Sequence, residues 1–393
     1  SMIKILSIYT FSYIFSDALG QILVGVGDYG KAMLIGIIRN MLRVLTAVML
    51  VLIGLGVYGA VLSFSIAYAS ILPLAILFAA KHIKSMAFDK EALKELLKYS
   101  TPLYIPVLLG VPASQFINML LTWHVSDEEI GNYRIAQNLL TPLNIVGGGI
   151  STALFSSFPL LINDEFRLRD AVKKSAYYTS LITPLISFAL IAFSEPITAL
   201  VYGEAYELAP KYLSLLALGS IFVFLGGSVI GIYLNSIGAT TKTMKINILN
   251  MLFSIALVTL LTPPLRVEGF IVAQLVAGLL STLYGLKILY RDYSIKLNIA
   301  ENLKALAPSA ISLASTLAIK SLVSNQITHL LIEAATYITT LLTTIPVFVG
   351  ENHLVELREL SKSIKYFGEL ASKIISVELK IATTLHNIKH SKT

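Results

Sequence analysis

Two arginines stand inside an apolar stretch, where a charged side chain is expensive. Arg39 and Arg43 lie four residues apart within segment 33–55, so a helix places them on one face, about 9 and 15 Å from its start. A central arginine costs about 2.5–3.5 kcal/mol and is expected to face protein or a water-filled cavity. Because guanidinium groups bind phosphate oxygens bidentately, the pair predicts a phosphate or pyrophosphate site. The alternative is that the helix begins late and both side chains reach the headgroups.

Three further polar residues extend the predicted substrate-binding set. Asn118, Arg134 and Asn138 lie in or beside apolar segments farther along the chain. Polar side chains in membrane helices more often make helix–helix hydrogen bonds than ligand contacts, so that alternative stays open for both asparagines. For Arg134 the alternative is an ion pair with Asp127 or Glu129.

One carboxylate offers an ion-coupling group. Asp17 lies inside the apolar segment 3–24, with Gln21 four residues later on the same helical face. A carboxylate inside a membrane segment is a candidate for proton or sodium coupling. A position at the helix end is the alternative.

Other chemistry finds no support in the sequence. The chain has no cysteine, which excludes thiolate metal sites, disulfides and cysteine nucleophiles. The six histidines are scattered without metal-ligand spacing, and no nucleotide-binding motif is present. We therefore expect no catalytic residues, no metal and no cofactor.

The composition is that of a membrane protein. Apolar residues make up 55% of the 393 positions and charged residues 13%, whereas soluble domains carry about 25% charged residues. The mean hydropathy is +0.76. The net charge of +7 comes from basic residues between apolar segments, so membrane topology explains it better than nucleic-acid binding.

Apolar stretches long enough to cross a bilayer recur along the chain, since about 20 helical residues span the hydrocarbon core. They predict an all-α polytopic protein with about eleven transmembrane helices, at 3–24, 33–55, 59–80, 100–122, 132–158, 174–194, 211–235, 245–263, 269–290, 304–323 and 328–349.

The connections between these segments alternate in basic charge. Residues 81–98, 163–174 and 287–304 are rich in lysine and arginine, whereas 123–131 and 195–211 are poor in them. By the positive-inside rule the basic connections are cytoplasmic.

The chain also resembles itself at an offset of 210 to 211 residues. Three short matches recur in order: 27–33 (GDYGKAM) with 238–244 (GATTKTM), 40–42 (NML) with 250–252 (NML), and 57–59 (VYG) with 267–269 (VEG). A repeat with unchanged orientation implies two pseudo-symmetric lobes of six spans each. The first lobe is then expected to be incomplete, with three spans missing before residue 1, either by truncation or because they belong to a separate chain.

Three stretches carry a resemblance to a known family. Residues 126–136 (SDEEIGNYRIA), 194–209 (beginning SEPI and ending VYGEAYELA) and 96–102 (LLKYSTP) resemble motifs of the polysaccharide-biosynthesis flippases in the multidrug/oligosaccharidyl-lipid/polysaccharide export superfamily. Members typically have about fourteen spans, in two six-helix lobes with two extra helices. Where relatives often carry aspartate, this chain has Asn118, which puts ion coupling there in doubt.

The resemblance implies a flippase that moves a polyprenyl-phosphate- or pyrophosphate-linked oligosaccharide across the cytoplasmic membrane by alternating access. The expected partners are this glycan, membrane lipid, the missing helices and glycan-assembly enzymes, and not nucleic acid. The rivals are a multidrug exporter of the same superfamily, which needs acidic cavity residues, and a membrane-embedded glycosyltransferase or polymerase. The latter needs an acid–base pair in a sizeable outer loop, which the short loops do not offer.

The predicted domains follow from the spans and the resemblance. They are 1–80, the last three helices of the first lobe; 81–99, a cytoplasmic loop between the lobes; 100–290, the six-helix second lobe; 291–350, two extra helices; and 351–393, a cytoplasmic amphipathic helix. In the last, apolar residues at helical spacing from Leu354 to Ile388 predict one continuous helix. It is expected to lie on the leaflet or to self-associate.

Overall fold

The computed structural model describes residues 2–82, 89–320, 326–362, 369, 372–373 and 375–380. Every regular element in these ranges is helical, which confirms the predicted all-α class. The chain forms two compact units, Ser1–Glu95 (unit 1) and Leu96–Thr393 (unit 2).

Unit 1 consists of three long helices: α1 (Met2–Gly25), α2 (Tyr29–Leu50), which continues as a π-helix (Val51–Leu55), and α3 (Gly56–Ala80). Its core contains Leu23, Ile35, Ile71 and Ala75. The Asp28 side chain caps α2 by accepting a hydrogen bond from the backbone N–H of Lys31, which satisfies one of the free donors of the first turn.

Unit 2 contains the remaining helices. They are α4 (Lys90–His124, which begins just before the unit boundary), α5 (Asp127–Leu139), α6 (Thr141–Ser157), α7 (Glu165–Ala192), α8 (Ser194–Tyr202), α9 (Ala209–Leu218), α10 (Gly227–Ser236), α11 (Thr240–Tyr293), α12 (Ile299–Ala305), α13 (Ala307–Lys320), α14 (Gln326–Phe348) and α15 (Glu351–Lys362).

Each of the eleven predicted segments overlaps these helices, although 321–323 lies outside the described residues. By length and composition, six helical stretches of the described residues are apolar enough to cross a membrane, or seven if one bent pair is a single span. Two of the six stretches, Tyr29–Ala80 and Thr240–Tyr293, each contain two predicted segments. The count of eleven therefore stays a prediction.

The repeat has a structural counterpart in two helical hairpins. The first hairpin is α2 with α3, and the second is formed by the two halves of α11. The chain reverses at Gly56 (φ 48°, ψ −133°) and at Arg266 (φ 53°, ψ −131°), which lie 210 residues apart. The preceding turns also match, because Gly27 (φ 82°) and Gly238 (φ 77°) both end a helix in the left-handed region that favours glycine.

The hairpins correct one of the sequence matches. Leu50 contacts Gly59 as Leu261 contacts Gly269, so the offset is 211 before the turn and 210 after it. The extra residue of the first hairpin lies in its π-helix, which accommodates one insertion without breaking the helix. The alignment of 40–42 with 250–252 was therefore wrong by one residue, and Arg39, not Asn40, corresponds to Asn250.

Within unit 2 the connections rich and poor in basic residues lie at opposite ends. At one end Glu129 pairs with Arg266 at 2.6 Å and Lys211 pairs with Glu268 at 2.6 Å. At the opposite end, where the first half of α11 begins and its second half finishes, Lys242 pairs with Asp292 at 2.8 Å. The predicted alternation in charge agrees with this arrangement, and the assignment of one end to the cytoplasm stays a prediction.

The described part of the C-terminal segment, 351–380, packs against the rest of unit 2. The sequence had instead suggested that this segment lies on the leaflet or self-associates. Leu354 is buried with Tyr177 and Leu181 of α7, and Ile375 and Leu379 pack against the same cluster. Residues 363–368, 370–371 and 374, which join these two parts, lie outside the described residues, so the expectation of one continuous helix stays a prediction. The predicted part beyond residue 380 lies outside the described residues.

Polar contacts hold α15 in place. The Lys174 ammonium and the Tyr178 hydroxyl both donate to the Glu356 carboxylate, each at 2.5 Å. These two hydrogen bonds lower the pKa of Glu356, so its charge persists to a lower pH than that of a free glutamate.

The tight turn of the second hairpin generates a stability prediction. A methyl group on Gly269 would overlap the carbonyl oxygen of Leu261, whereas one on Gly278 would meet nothing within 4 Å. We expect Gly269→Ala to destabilise the protein by about 1–3 kcal/mol and Gly278→Ala to leave stability unchanged or slightly raised. Thermal unfolding in detergent compares the two, and an equal effect of both substitutions would contradict the turn geometry.

The ends of unit 2 generate a topology prediction. The chain has no native cysteine, so Asn163→Cys and Ala205→Cys each introduce a single thiol into an exposed connection. By the positive-inside rule, a membrane-impermeant maleimide is expected to label Ala205→Cys in intact cells, and Asn163→Cys only after the membrane is opened. The reverse pattern would overturn the predicted orientation.

Candidate functional site

The two arginines lie deeper in their helix than the sequence indicated. Since α2 begins at Tyr29 and not at residue 33, Arg39 and Arg43 are about 15 and 21 Å from its start. With the π-helix that follows, they flank the middle of a 27-residue stretch, 29–55. A late helix start is therefore wrong, whereas the alternative that both side chains reach the headgroups stays untested.

Aromatic rings from the neighbouring helices cover the two cations. The guanidinium carbon of Arg39 lies 4.8 Å from the ring centroid of Tyr68, and that of Arg43 lies 5.2 Å from the ring of Phe64. The Tyr9 ring packs edge-on against both, with centroids 5.1 Å from Tyr68 and 5.6 Å from Phe64. We call these five residues the arginine–aromatic cluster.

The rings offset only part of the cost of the charges. A cation–π contact contributes about 0.5–2 kcal/mol, against about 2.5–3.5 kcal/mol for each arginine near a helix centre. The ion pairs described in unit 1 join Asp28 to Lys31 and to His82, and none involves Arg39 or Arg43. The buried Nε of Arg39 has no hydrogen-bond partner among the described residues. The cluster can therefore accept an anion.

Asp17 and Gln21 lie on the same helix as the aromatic part of the cluster. With Tyr9 and Tyr13 they form a stripe at four-residue steps along α1. Asp17 is half-buried and Gln21 is exposed. The helix-end alternative does not hold for Asp17, because α1 continues to Gly25. Ion coupling through this pair stays a prediction.

The structure does not join the other predicted site residues into one group. Asn118 is half-buried on α4, whereas Arg134 and Asn138 are exposed on α5. Arg134 donates to the Oε1 of Gln137 at 3.1 Å, and the backbone carbonyl of Asn138 accepts from the Thr141 hydroxyl at 2.5 Å. Their role in substrate binding stays a prediction.

An ion pair between Arg134 and Glu129, one of the two carboxylates proposed as its alternative partner, is wrong. The nearby carboxylate, Glu129, pairs with Arg266 at the turn of the second hairpin, 2.6 Å away. Arg266 adopts a positive φ that favours glycine, and this ion pair holds its side chain against α5. Proximity in sequence favoured Arg134, and only the hairpin brings Arg266 into reach.

Residues of the family motifs form a structural clamp at this end of unit 2. Ser126 and Glu129 make a capping box at the start of α5. The Asn132 carbonyl oxygen accepts hydrogen bonds from the backbone N–H groups of Leu208 (3.1 Å) and Ala209 (2.9 Å). The motif at residues 126–136 thereby fixes the start of α9, at which the motif at residues 194–209 ends.

One buried acid escaped the sequence reasoning. Glu333, on α14, is only 1% exposed. It lies five residues inside the predicted segment 328–349, so the signal was present: a carboxylate within an apolar stretch, as for Asp17. Among the described residues no group of three histidine, aspartate or glutamate side chains could hold a metal ion.

Comparison with known proteins decides the family. A family model described as "Polysaccharide biosynthesis protein" matches residues 5–211, more than half of the 393 positions. The chain belongs to this polysaccharide biosynthesis family. No curated protein sequence matches it at a significant level.

Solved structures agree on the fold of this polysaccharide biosynthesis family member. The lipid II flippase MurJ in an inward closed conformation gives a TM-score of 0.67 at 18% identity, covering 88% of this chain and 73% of that one. An outward-facing multidrug resistance MATE family transporter of the MOP superfamily gives 0.63 at 17% identity, covering 75% and 69%. A MATE in the bent conformation gives 0.61 at 17%, covering 77% and 69%. The chain is thus a multi-pass membrane protein with the fold of MOP-type transporters.

The hydrogen bonds from Leu208 and Ala209 to Asn132 generate a stability prediction. Asn132→Ala leaves two backbone N–H groups without their acceptor, and Ala209 is fully buried. We expect a loss of about 1–3 kcal/mol in stability, measured by chemical or thermal unfolding in detergent. The control Asn163→Ala changes an exposed residue and is expected to have no effect. Equal stability of the two variants would contradict the clamp.

Proposed function

We propose that the protein is a flippase that moves a polyprenyl-phosphate- or pyrophosphate-linked oligosaccharide across the cytoplasmic membrane by alternating access. Membership of the polysaccharide biosynthesis family and the likeness in fold to a lipid II flippase support transport of a lipid-linked glycan. The product would enter surface polysaccharide or glycan assembly, and the enzymes of that assembly are the expected partners.

The arginine–aromatic cluster is the observation that carries the proposal. Two guanidinium groups in the middle of an apolar helix have rings beside them but no carboxylate of the described residues within ion-pair distance. A phosphate or pyrophosphate group supplies the missing charge and can accept paired hydrogen bonds from each arginine. The Arg39 Nε is then satisfied as well.

The charge of the cluster argues against export of organic cations. A cationic drug needs acidic groups where it binds, and the described surroundings of Arg39 and Arg43 offer positive charge and aromatic faces. Movement of an uncharged or cationic cargo would leave the cost of the two arginines unexplained. Transport requires no covalent chemistry, so we propose no enzymatic step. Asp17 and Gln21 remain the proposed ion-coupling pair.

Removal of both charges tests the function. The double variant Arg39→Gln/Arg43→Gln keeps hydrogen-bonding groups of similar length. We expect translocation of a polyprenyl-pyrophosphate-linked oligosaccharide in reconstituted vesicles to fall by at least about tenfold, because a hydrogen bond to a charged group contributes about 1.5–3 kcal/mol. The matched control, Arg167→Gln/Arg169→Gln, removes two arginines that pair with Asp164 and Glu165 at the start of α7, and is expected to translocate normally.

Unchanged translocation in the double variant, at normal insertion and amount, would show that the arginines are structural. Export of organic cations by the unaltered protein, without any change in the sidedness of the glycolipid, would favour a multidrug exporter instead.

A further inference from the structure

Unit 2 contains two neighbouring cavities that the arginine site does not explain. One has a volume of about 520 Å³ and lies among α6, α7, α11 and the 3-10 helix Gly219–Leu225, which precedes α10. The other, about 180 Å³, lies between α10 and α11. Gly227 and Thr282 line both. We call the pair the polar double chamber, and the larger part falls within the usual range of about 300–1,000 Å³ for ligand pockets.

A helix break creates this space. The helical stretch 209–236 bends by 57° at Gly226, whose φ of 74° favours glycine. The first turn of α10 is therefore open at Gly227 instead of continuing the preceding helix. Interrupted helices that expose backbone groups at a cavity are a feature of transporter binding sites.

Small residues keep the larger cavity open. Gly147 and Gly148 of α6 and Gly278 of α11 line it, and a methyl group built on any of the three would meet nothing within 4 Å. The three glycines thus leave this pocket open, and Gly147 and Gly148 are themselves exposed.

Positioned amides and hydroxyls face the two cavities. Gln274 lines the larger one, and its Oε1 accepts a hydrogen bond from the Ser254 hydroxyl at 3.1 Å, which leaves its amide N–H donors for a ligand. In the smaller cavity Asn250 donates to the Ser281 hydroxyl at 3.0 Å. Thr243, only 5% exposed, also lines it, and its hydroxyl has no hydrogen-bond partner among the residues that the structure describes.

The lining is uncharged, which limits what can bind. Within the described part of the chain, no aspartate, glutamate, lysine or arginine lines either cavity, so a phosphate or a cation would find no counter-charge there. Amides and hydroxyls both donate and accept hydrogen bonds. This suits a neutral ligand rich in hydroxyl groups, and Phe222 adds an aromatic side chain to the wall.

We propose that the polar double chamber binds a neutral sugar unit of the transported glycan through its hydroxyl groups. The lipid attachment of that sugar rests on the proposed function, whereas binding of the sugar itself does not. Arg39 and Arg43 belong to unit 1 and the chamber to unit 2, so each can be altered without touching the other.

Binding of free sugars to the full chain in nanodiscs tests the proposal without transport. The probes are neutral methyl glycosides of glucose, galactose and N-acetylglucosamine. Their binding is measured by ligand-observed NMR. We expect saturable binding of at least one probe. Gly278→Leu fills the larger cavity and is expected to weaken binding at least about tenfold. Gln274→Leu removes an oriented amide and is expected to weaken it about three- to tenfold.

Two controls separate the outcomes. Gly110→Leu adds the same side chain on α4, where a methyl group also meets nothing within 4 Å, and is expected to bind sugar normally. Arg39→Gln/Arg43→Gln is also expected to bind normally, so failure of the phosphate proposal leaves this one intact. Should Gly278→Leu misfold, Gln274→Leu decides. Absence of saturable binding, or equal binding by Gln274→Leu and the unaltered chain, would show that the chamber holds only water.

Discussion

A helix that crosses lipid must satisfy its own backbone groups, and a polar side chain on it must find a partner inside the protein. This constraint determines where the chain places each interruption and each charge. The reversals at Gly56 and Arg266 are tight enough that the flanking helices pack directly against each other. At the second reversal a residue other than glycine adopts the positive φ, and its side chain forms an ion pair, Arg266 with Glu129. The break at Gly226 lies beside a polar cavity.

The two hairpins show how one scaffold carries two kinds of chemistry. With the offset of 211 before the turn and 210 after it, Arg43 and Phe64 occupy the positions of Ser254 and Gln274. The first pair is a cation over a ring at 5.2 Å, and the second is a hydroxyl donating to an amide at 3.1 Å. Backbone geometry at the turns is nearly the same in both. The two hairpins thus carry different side-chain contacts on nearly the same backbone turn.

Much of the fold followed from the sequence because its signals are local. Apolar length located the helices, and the positions of basic residues separated the two ends of unit 2. Arg39 and Arg43 were identified from the free-energy cost of placing a charge in an apolar helix. Their aromatic neighbours were not identified, because the faces that α1 and α3 present to α2 depend on packing. The single-residue insertion of the π-helix was also invisible, because 40–42 and 250–252 match in sequence but not in register. The partner of Glu129 lay 137 positions away. Glu333 needed no structure at all, because its place inside an apolar segment was already readable.

A phosphate-binding site alone would not distinguish the transported lipid-linked glycan from other membrane lipids. Membrane lipids carry phosphate groups in abundance, and two arginines bind any of them by the same bidentate contacts. Selectivity requires a difference in affinity between the wanted and unwanted ligand, and the sugar is the part that ordinary phospholipids lack. A site built from uncharged amides and hydroxyls can discriminate strongly, because a ligand without matching hydroxyls would leave buried groups such as the Thr243 hydroxyl unpaired. Discrimination among phosphate-bearing lipids would then rest on the hydroxyl groups that the polar double chamber recognises, because phosphate is common to all of them.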